Sequence, residues 1–248
     1  MDTSKKSDMK HLVISAVLLV SIVSKGADAF VFDTISDLLS WPGSSRQPNF
    51  EVKGYNSVGD WGTTRAGKYI TNSVAATNLG CVFMPTNGVG RFVFEDCGSG
   101  NVNARWFGAV GDGVTDDTVS LQAAADYIQT LSTNGGSSAL LFPKGSYITS
   151  NTIALTSGRV RIQGVQSYQS VFNGSKIIKT TAGPVMSLSG YGYVINDIGL
   201  DYSTMQTNAT SACLQLYEVL NLKANNITMR RGAYGIKDDT SSYHNNNS

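Results

Sequence analysis

The two histidines, His11 and His244, stand near opposite ends of the chain, so a serine or cysteine nucleophile activated by histidine is not the chemistry this sequence favours. Acid–base work falls to carboxylates. Cleavage of a glycosidic bond needs two of them, about 5–5.5 Å apart for retention or about 6.5–9.5 Å apart for inversion. Asp112, Asp116 and Asp117 are close in sequence, but they belong to a Gly-Asp-Gly turn and the start of a helical pattern, so they are read as structural. The later acids on strand-like stretches are Asp197, Asp201, Glu218, Asp238 and Asp239. Asp197 and Asp201 share a strand face, but four residues set them about 13 Å apart. Asp201 aligns beside Arg230, an ion pair that would keep it ionised. The remaining catalytic candidates are Glu218 with Asp238 or Asp239, although adjacent acids at a strand end also serve as turn residues. Tyr202, Tyr217 and Arg231 are the substrate-binding candidates, two rings for stacking and one cation, with Tyr191 and Tyr193 extending the aromatic set.

The composition bounds what elements can carry these residues. Only 15% of the residues are charged, the net charge is +1, and Gly supplies 26 positions against 5 Pro. That describes a β-rich chain with tight turns; it excludes a helical bundle and gives no electrostatic footprint for nucleic acid. Cys81, Cys97 and Cys213 lack metal-ligand spacing. They are read as small buried residues, with a Cys81–Cys97 pair across a hairpin as the alternative. At the N-terminus, Lys5, Lys6 and Lys10 precede an uncharged run from Leu12 to Val23, followed by Ala27-Asp28-Ala29. This is the layout of a secretory signal, expected to be cleaved after Ala29. Its apolar run makes only about 18 Å of helix against a hydrocarbon core of about 30 Å, so no stable membrane span is expected after processing. A secreted protein follows; the alternatives are an N-terminal apolar anchor and a short helix that attaches the chain to a larger particle such as a virion.

Residues 30–102 read as a small β-rich module. An amphipathic fragment from Phe32 to Leu39, capped by Asp33 or Thr34, precedes strands at Phe50–Tyr55, Gly67–Ile70, Cys81–Met84 and Arg91–Phe94. From Asn103 the character changes. Leu121, Ala124, Ala125, Ile128 and Leu131 form one helical face, with Thr115 as the expected cap, Asp116 and Asp117 in the first turn, and Asn134-Gly135-Gly136 as the stop. A strand at Ala139–Phe142 follows, then the turn Pro143-Lys144-Gly145 and a second strand, Ser146–Thr149.

The ordered string Trp106-Phe107-Gly108-Ala109, Gly111-Asp112-Gly113-Val114-Thr115-Asp116-Asp117-Thr118, the Ala-rich helix and Phe142-Pro143-Lys144-Gly145-Ser146-Tyr147 resembles the pectate-lyase-like right-handed parallel β-helix superfamily, in the branch of phage tailspikes and exported polysaccharide depolymerases. The resemblance is specific over 103–149. Over 50–102 it is looser: Val52-Lys53-Gly54-Tyr55 and Gly59-Asp60 fit the module that precedes the helix in tailspikes, while Trp61 and Thr63-Thr64-Arg65 stand where that form has a run of Gly. The resemblance implies an all-β solenoid whose open end the helix caps, a polysaccharide partner (a bacterial surface or pectic glycan), and a homotrimer. It implies no cofactor, with Ca²⁺ entering only for a pectate-type lyase. The polygalacturonase-like signatures of the family are absent.

The remaining sequence supports a solenoid by itself. The segments 159–163, 197–201 and 226–230 align without gaps at spacings of 38 and 29 residues, each with apolar second and fourth positions. Asn225 and Asn226, with Asn221, are read as a ladder of stacked amides. The β-helix is assigned to 103–240 and a polar tail to 241–248, with no cap at that end, so the solenoid is read as truncated or short. Function is expected to be a polysaccharide hydrolase or lyase; the alternative is a non-catalytic glycan-binding adhesin or structural tail component.

Overall fold

The computed structural model describes residues 29–132, 138–165 and 174–239. The leader ahead of Ala29, the Asn134-Gly135-Gly136 stop and the tail 241–248 lie outside the described residues, as do both histidines.

The N-terminal module holds β1 (Phe30–Phe32), α1 (Ile35–Ser40), β2 (Asn49–Val52), β3 (Arg65–Ile70), β4 (Val82–Phe83) and β5 (Arg91–Phe94), in a sheet ordered β1-β2-β3-β5-β4. Thr34 rather than Asp33 caps α1, exchanging hydrogen bonds with Asp37 in a capping box. Phe32, Leu38, Phe50, Phe92 and Phe94 fill the core. Trp61 is buried there too, edge-on to Phe94, so the residue that interrupts the Gly run is a core residue. Arg65, 2% exposed, sits within 4.9 Å of Trp61, 4.1 Å of Phe94 and 4.2 Å of Trp106. Its Nε and Nη2 each reach an oxygen of Asp96 at 2.7 Å, and Nη1 donates to the Gly80 carbonyl at 2.9 Å. Cys81 and Cys97 form a disulfide, so the pairing given as the alternative holds over the reading of all three as unpaired buried residues; Cys213 is free and buried.

The rest is a solenoid. A leading half-turn has β6 (Asn101–Asn103), a 3₁₀ turn at Ala104–Phe107, β7 (Asp112–Asp116) and α2 (Thr118–Ser132). Four turns follow: β8 (Ser138–Leu141), β9 (Gly145–Thr149) and β10 (Ile153–Leu155); β11 (Val160–Gln163), β12 (Ser175–Lys179) and β13 (Met186–Tyr191); β14 (Val194–Asn196), β15 (Ile198–Tyr202) and β16 (Ala212–Leu220); β17 (Lys223–Asn225), β18 (Thr228–Met229) and β19 (Tyr234–Asp238). They stack as three parallel faces: the first β6-β8-β11-β14-β17, the second β7-β9-β12-β15-β18, the third β10-β13-β16-β19. On the first face Ala139 lies beside Arg161, Arg161 beside Val194 and Val194 beside Lys223, so successive turns advance 22, 33 and 29 residues.

This register confirms one half of the sequence alignment and corrects the other. Gly199 pairs with Thr228 and Leu200 with Met229, as aligned. The segment 159–163, however, stacks on Val194–Asn196 of the first face, not on 197–201 of the second. Strands β10, β11 and β12, one from each face, all alternate core and outward positions with period two, so the pattern alone does not say which face a strand belongs to. The amide ladder is present: Asn225 donates to Asn196 at 3.0 Å and Asn196 to Gln163 at 3.1 Å, while Asn226 bonds Asp197 at 2.7 Å and Asn221 sits at a different corner.

Leu121, Ala124, Ala125 and Ile128 of α2 join the solenoid core and close its end. The cap differs from expectation. Thr115 lies in β7, and the first helical carbonyl is that of Asp117, which accepts from the Leu121 N–H at 2.9 Å. The Asp117 carboxylate turns away from the helix and accepts from the N–H groups of Val110 at 2.6 Å and Gly111 at 3.1 Å; the side chain is buried. Asp116 is exposed and bonds the Thr118 N–H at 2.9 Å. Removing Asp117 strands the buried Gly111 N–H and the half-buried Val110 N–H, so Asp117→Ala should cost on the order of 2–3 kcal/mol and Asp116→Ala less than about 1 kcal/mol in urea unfolding. Equal losses would contradict this division of roles.

Lys179 faces the core between Thr149 and Tyr202 of the neighbouring turns, with the Ser150 carbonyl 3.5 Å from its Nζ. Burial holds its ammonium below the ordinary lysine value, with Asp116 opposing the shift. Between that lowered value and the unfolded value of about 10.4, the unfolded chain binds more protons, so stability rises with pH. Lys179→Met should therefore be more stable than the parent near neutral pH, and its advantage should shrink as pH approaches about 10. Urea midpoints measured across that range check this; a pH-independent difference would overturn it.

Candidate functional site on the third face

The third face is where alternation places side chains that a long ligand could meet. Met186, Leu188 and Leu214 point into the core; in the alternate column Ser187 pairs with Gln215 and Gln215 with Lys237, Gln215 itself being buried, and Ser189 lies beside Tyr217. Pairing then slips: Ser189 matches Tyr217 but Tyr191 matches Leu220, so β16 carries one extra residue. Glu218 takes the left-handed backbone, φ 52°, that this bulge requires. Tyr191 and Tyr217 are 49% and 44% exposed and stand one turn apart at the same end of the face. The Arg159 guanidinium lies 5.2 Å from the Tyr191 ring, and the Lys237 ammonium 6.0 Å from the exposed ring of Tyr234.

Where the third face turns into the first, a cleft of about 290 Å³ opens between Tyr191 with Gly190 on one side and Thr156 to Arg159 on the other. Its back wall is tied to the capping helix. Gln129 Oε1 accepts from the N–H groups of Thr156 at 2.6 Å and Ser157 at 2.9 Å, while its Nε2 donates to the Ala125 carbonyl at 3.0 Å.

The structure divides the candidates read from sequence. Tyr217, Glu218, Asp238 and Asp239 gather at one end of the third face. Asp238 pairs with Leu216, whose column runs through Leu188 in the core, and the Asp239 N–H donates to the Leu216 carbonyl at 2.9 Å. Strand spacing and a two-residue offset put the Cα atoms of Glu218 and Asp238 about 8 Å apart. All three acids are exposed. Tyr202 and Arg231 lie elsewhere, at the corner from the second face to the third. Tyr202 is fully buried, its hydroxyl donating to the carbonyls of Gly183 at 2.6 Å and Ala212 at 2.9 Å, so its ring offers no face to a sugar. Burial pushes its phenol well above the ordinary tyrosine value. Tyr193 is enclosed in the same way, its phenol pushed up to about 12 by burial. Arg231 forks onto Asp201, Nη2 to Oδ2 at 2.6 Å and Nε to Oδ1 at 2.8 Å. That hydrogen bond raises the guanidinium above its ordinary value. Asp201 is thus paired, but with Arg231 and not Arg230, because Arg231 adopts φ 57° at the strand end and swings its side chain back over the turn below.

Asp112, Asp116 and Asp117 hold loops together, as read. The Asp112 carboxylate accepts from the N–H groups of Thr115 and Val114 and from the Thr115 hydroxyl, which holds it below the usual carboxylate range. Arg159 was not singled out by sequence: it stood in an aligned segment as an ordinary polar strand position, and its place beside Tyr191 comes from a corner 32 residues later in the chain. Among the described residues no three His, Cys, Asp or Glu side chains come together as a Ca²⁺ site would require, and none of their helices is long and apolar enough to cross a membrane.

Three stacked parallel faces, a helix over one end and polar side chains along the outer flank define a parallel β-helix. Residues 101–247 match the rhamnogalacturonase A/epimerase, pectate lyase-like family, and the chain belongs to it. It is 29% identical over 111 residues, 43% of its length, to mannuronan C5-epimerase AlgE1 of Azotobacter vinelandii, of which this covers 8%. Among solved structures it resembles the tailspike protein of Acinetobacter phage vB_ApiP_P1 (TM-score 0.56, 16% identity, 85% of this chain and 38% of that one). It also resembles Pantoea stewartii WceF, a glycan biofilm modifying enzyme with a tailspike-like parallel β-helix fold (TM-score 0.55, 14% identity, 80% and 30%). The chain therefore spans well under half the length of these relatives, and at these identities the two structures speak for the fold.

The two tyrosines make the division testable. Tyr202→Phe should lose about 1–2 kcal/mol of stability by removing the buried hydroxyl from between the Gly183 and Ala212 carbonyls, and leave glycan retention in native gels unchanged. Tyr217→Ala should stay within about 0.5 kcal/mol of the parent and weaken retention. The reverse pattern would return Tyr202 to the binding surface.

Proposed function

We propose that the protein grips a surface polysaccharide along the third face of its solenoid, as an extracellular or virion-borne protein that assembles as a homotrimer. The observation that carries this reading is the pair of exposed rings, Tyr191 and Tyr217, one turn apart on a flank that also carries the half-buried Ser187 and Ser189. Rings with one apolar face and a polar rim suit the alternation of C–H and hydroxyl surfaces along a sugar chain. The family membership and the tailspike-like fold support the same class of ligand.

A second reading makes it a depolymerase, hydrolase or lyase. It assigns the acid and base to Glu218 with Asp238 or Asp239, favoured by their common position at one end of the third face beside Tyr217. The binding reading is preferred because the exposed rings of Tyr191 and Tyr217 support it directly, whereas the acids beside them serve equally as strand-end residues.

One assay separates the two. The chain is incubated with capsular and pectic polysaccharides, while retention, new reducing ends and unsaturated-uronate absorbance are followed. Retention without new chain ends is expected. New ends that vanish in both Glu218→Ala and either Asp238→Ala or Asp239→Ala would establish the depolymerase instead.

A further inference from the structure

We propose that the cleft between the third and first faces is a subsite for an anionic substituent of the glycan, a carboxylate or sulfate ester, taken by Arg159. The inference rests on the polysaccharide reading above and adds the charge of the ligand to it.

The first support is where Arg159 stands. It occupies the corner that leads into the first face, with φ 64°. The same corner is filled by Gly192 (φ 79°) in the next turn and by Asn221 (φ 59°) in the one after. Glycine and asparagine tolerate the left-handed backbone; a long side chain gains nothing from it. A residue held in that conformation against its preference directs attention to what the side chain does.

The second support is the company of the guanidinium. Arg65 is neutralised by Asp96 and Arg231 by Asp201. Among the described residues Arg159 forms no ion pair with a carboxylate and lies against the ring of Tyr191 instead, 5.2 Å from its centroid. No acid lines the cleft. Its hydroxyls are turned onto Gln129, Ser132 donating to its carbonyl at 2.9 Å and Thr156 and Ser157 to its Oε1 at 3.3 and 3.4 Å, which leaves the Arg159 guanidinium as the charged donor of the cleft. About 290 Å³ is close to the lower bound of small-ligand pockets, roughly 300 Å³, which suits one sugar ring or its substituent. A planar guanidinium fork presents paired donors to a carboxylate or a sulfate, and the ring beneath it fixes the plane of the fork.

The test is native affinity electrophoresis of the full chain in gels containing polygalacturonate, chondroitin sulfate or neutral dextran, with the parent, Arg159→Asn and Tyr191→Ala. Arg159→Asn places at this corner the residue type that Asn221 provides two turns on, so the variant keeps a backbone the fold already uses; its thermal midpoint serves as the folding control. The parent should be retained by at least one of the two anionic polymers, less so as salt is raised. Arg159→Asn should weaken that retention at least tenfold, and Tyr191→Ala should weaken it too. Polygalacturonate and chondroitin sulfate together show whether a carboxylate alone suffices or a sulfate ester is required. Full retention of Arg159→Asn, or parent retention by dextran equal to that by the anionic polymers, would overturn the subsite while leaving the polysaccharide reading in place. No retention of the parent by any polysaccharide, including those of the preceding assay, would overturn both.

Discussion

Each turn of the solenoid must bring the chain back to about one strand spacing, roughly 4.8 Å, from where it began, and nearly every feature of the molecule follows from that return. Equivalent positions stack into columns. Core columns take large apolar or aromatic residues; Tyr147, Tyr193 and Tyr202 are among the largest fully buried side chains, and each hydroxyl finds a backbone carbonyl at a corner. Outward columns take serine, glutamine, lysine and tyrosine. The corners between faces need the left-handed backbone, supplied by Gly192 and Asn221 on one side of the first face and by Asp197 and Asn226 on the other. The amide ladder from Gln163 through Asn196 to Asn225 pins successive turns at one corner with side-chain bonds that neither sheet could supply. A ligand laid along the third face therefore meets a repeating surface whose spacing the backbone sets.

The module in front is joined to this stack around a buried cation, and Arg105 of the 3₁₀ turn adds a second link by donating to the Asp60 carbonyl at 3.0 Å. The Arg65 guanidinium, buried among Trp61 and Phe94 of the module and Trp106 of the 3₁₀ turn, satisfies its donors on Asp96 and the Gly80 carbonyl. The Cys81–Cys97 disulfide closes the same neighbourhood, and Cys81 packs with the solenoid core. Desolvation pulls the guanidinium below its ordinary value while Asp96 opposes the shift. A buried cation of this kind contributes chiefly when all of its partners are present, and here they come from both bodies. Arg65, with Trp61 packed against it on the module side and Trp106 on the solenoid side, is thus one of the residues that fasten module to solenoid.

How much of this was legible in the sequence depended on whether an element is defined locally. Helix α2 and strands β8 and β9 were readable because their periodicity and turn residues lie within a few positions. The stacking of 197–201 on 226–230 was readable from one gapless alignment, but the face of 159–163 was not, because all three faces share one alternation. Helix capping was misplaced by two residues, since Asp117 uses its carboxylate on Val110 and Gly111, a tertiary contact with no local signature. Tyr202 and Tyr217 look alike in sequence; only the count of strand positions from a corner decides that one is core and the other solvent. Arg159 was invisible as a site residue for the same reason: its meaning comes from Tyr191, brought alongside by a full turn of chain.

The central claim, that a glycan chain lies along the third face, is tested most directly by hydrogen–deuterium exchange of the full protein with and without a polysaccharide that retains it. The account predicts slowed exchange in peptides covering 156–160, 187–192 and 215–220, with the first and second faces unchanged. Protection confined to 101–117 or to the strands of the second face would place the ligand elsewhere and contradict it.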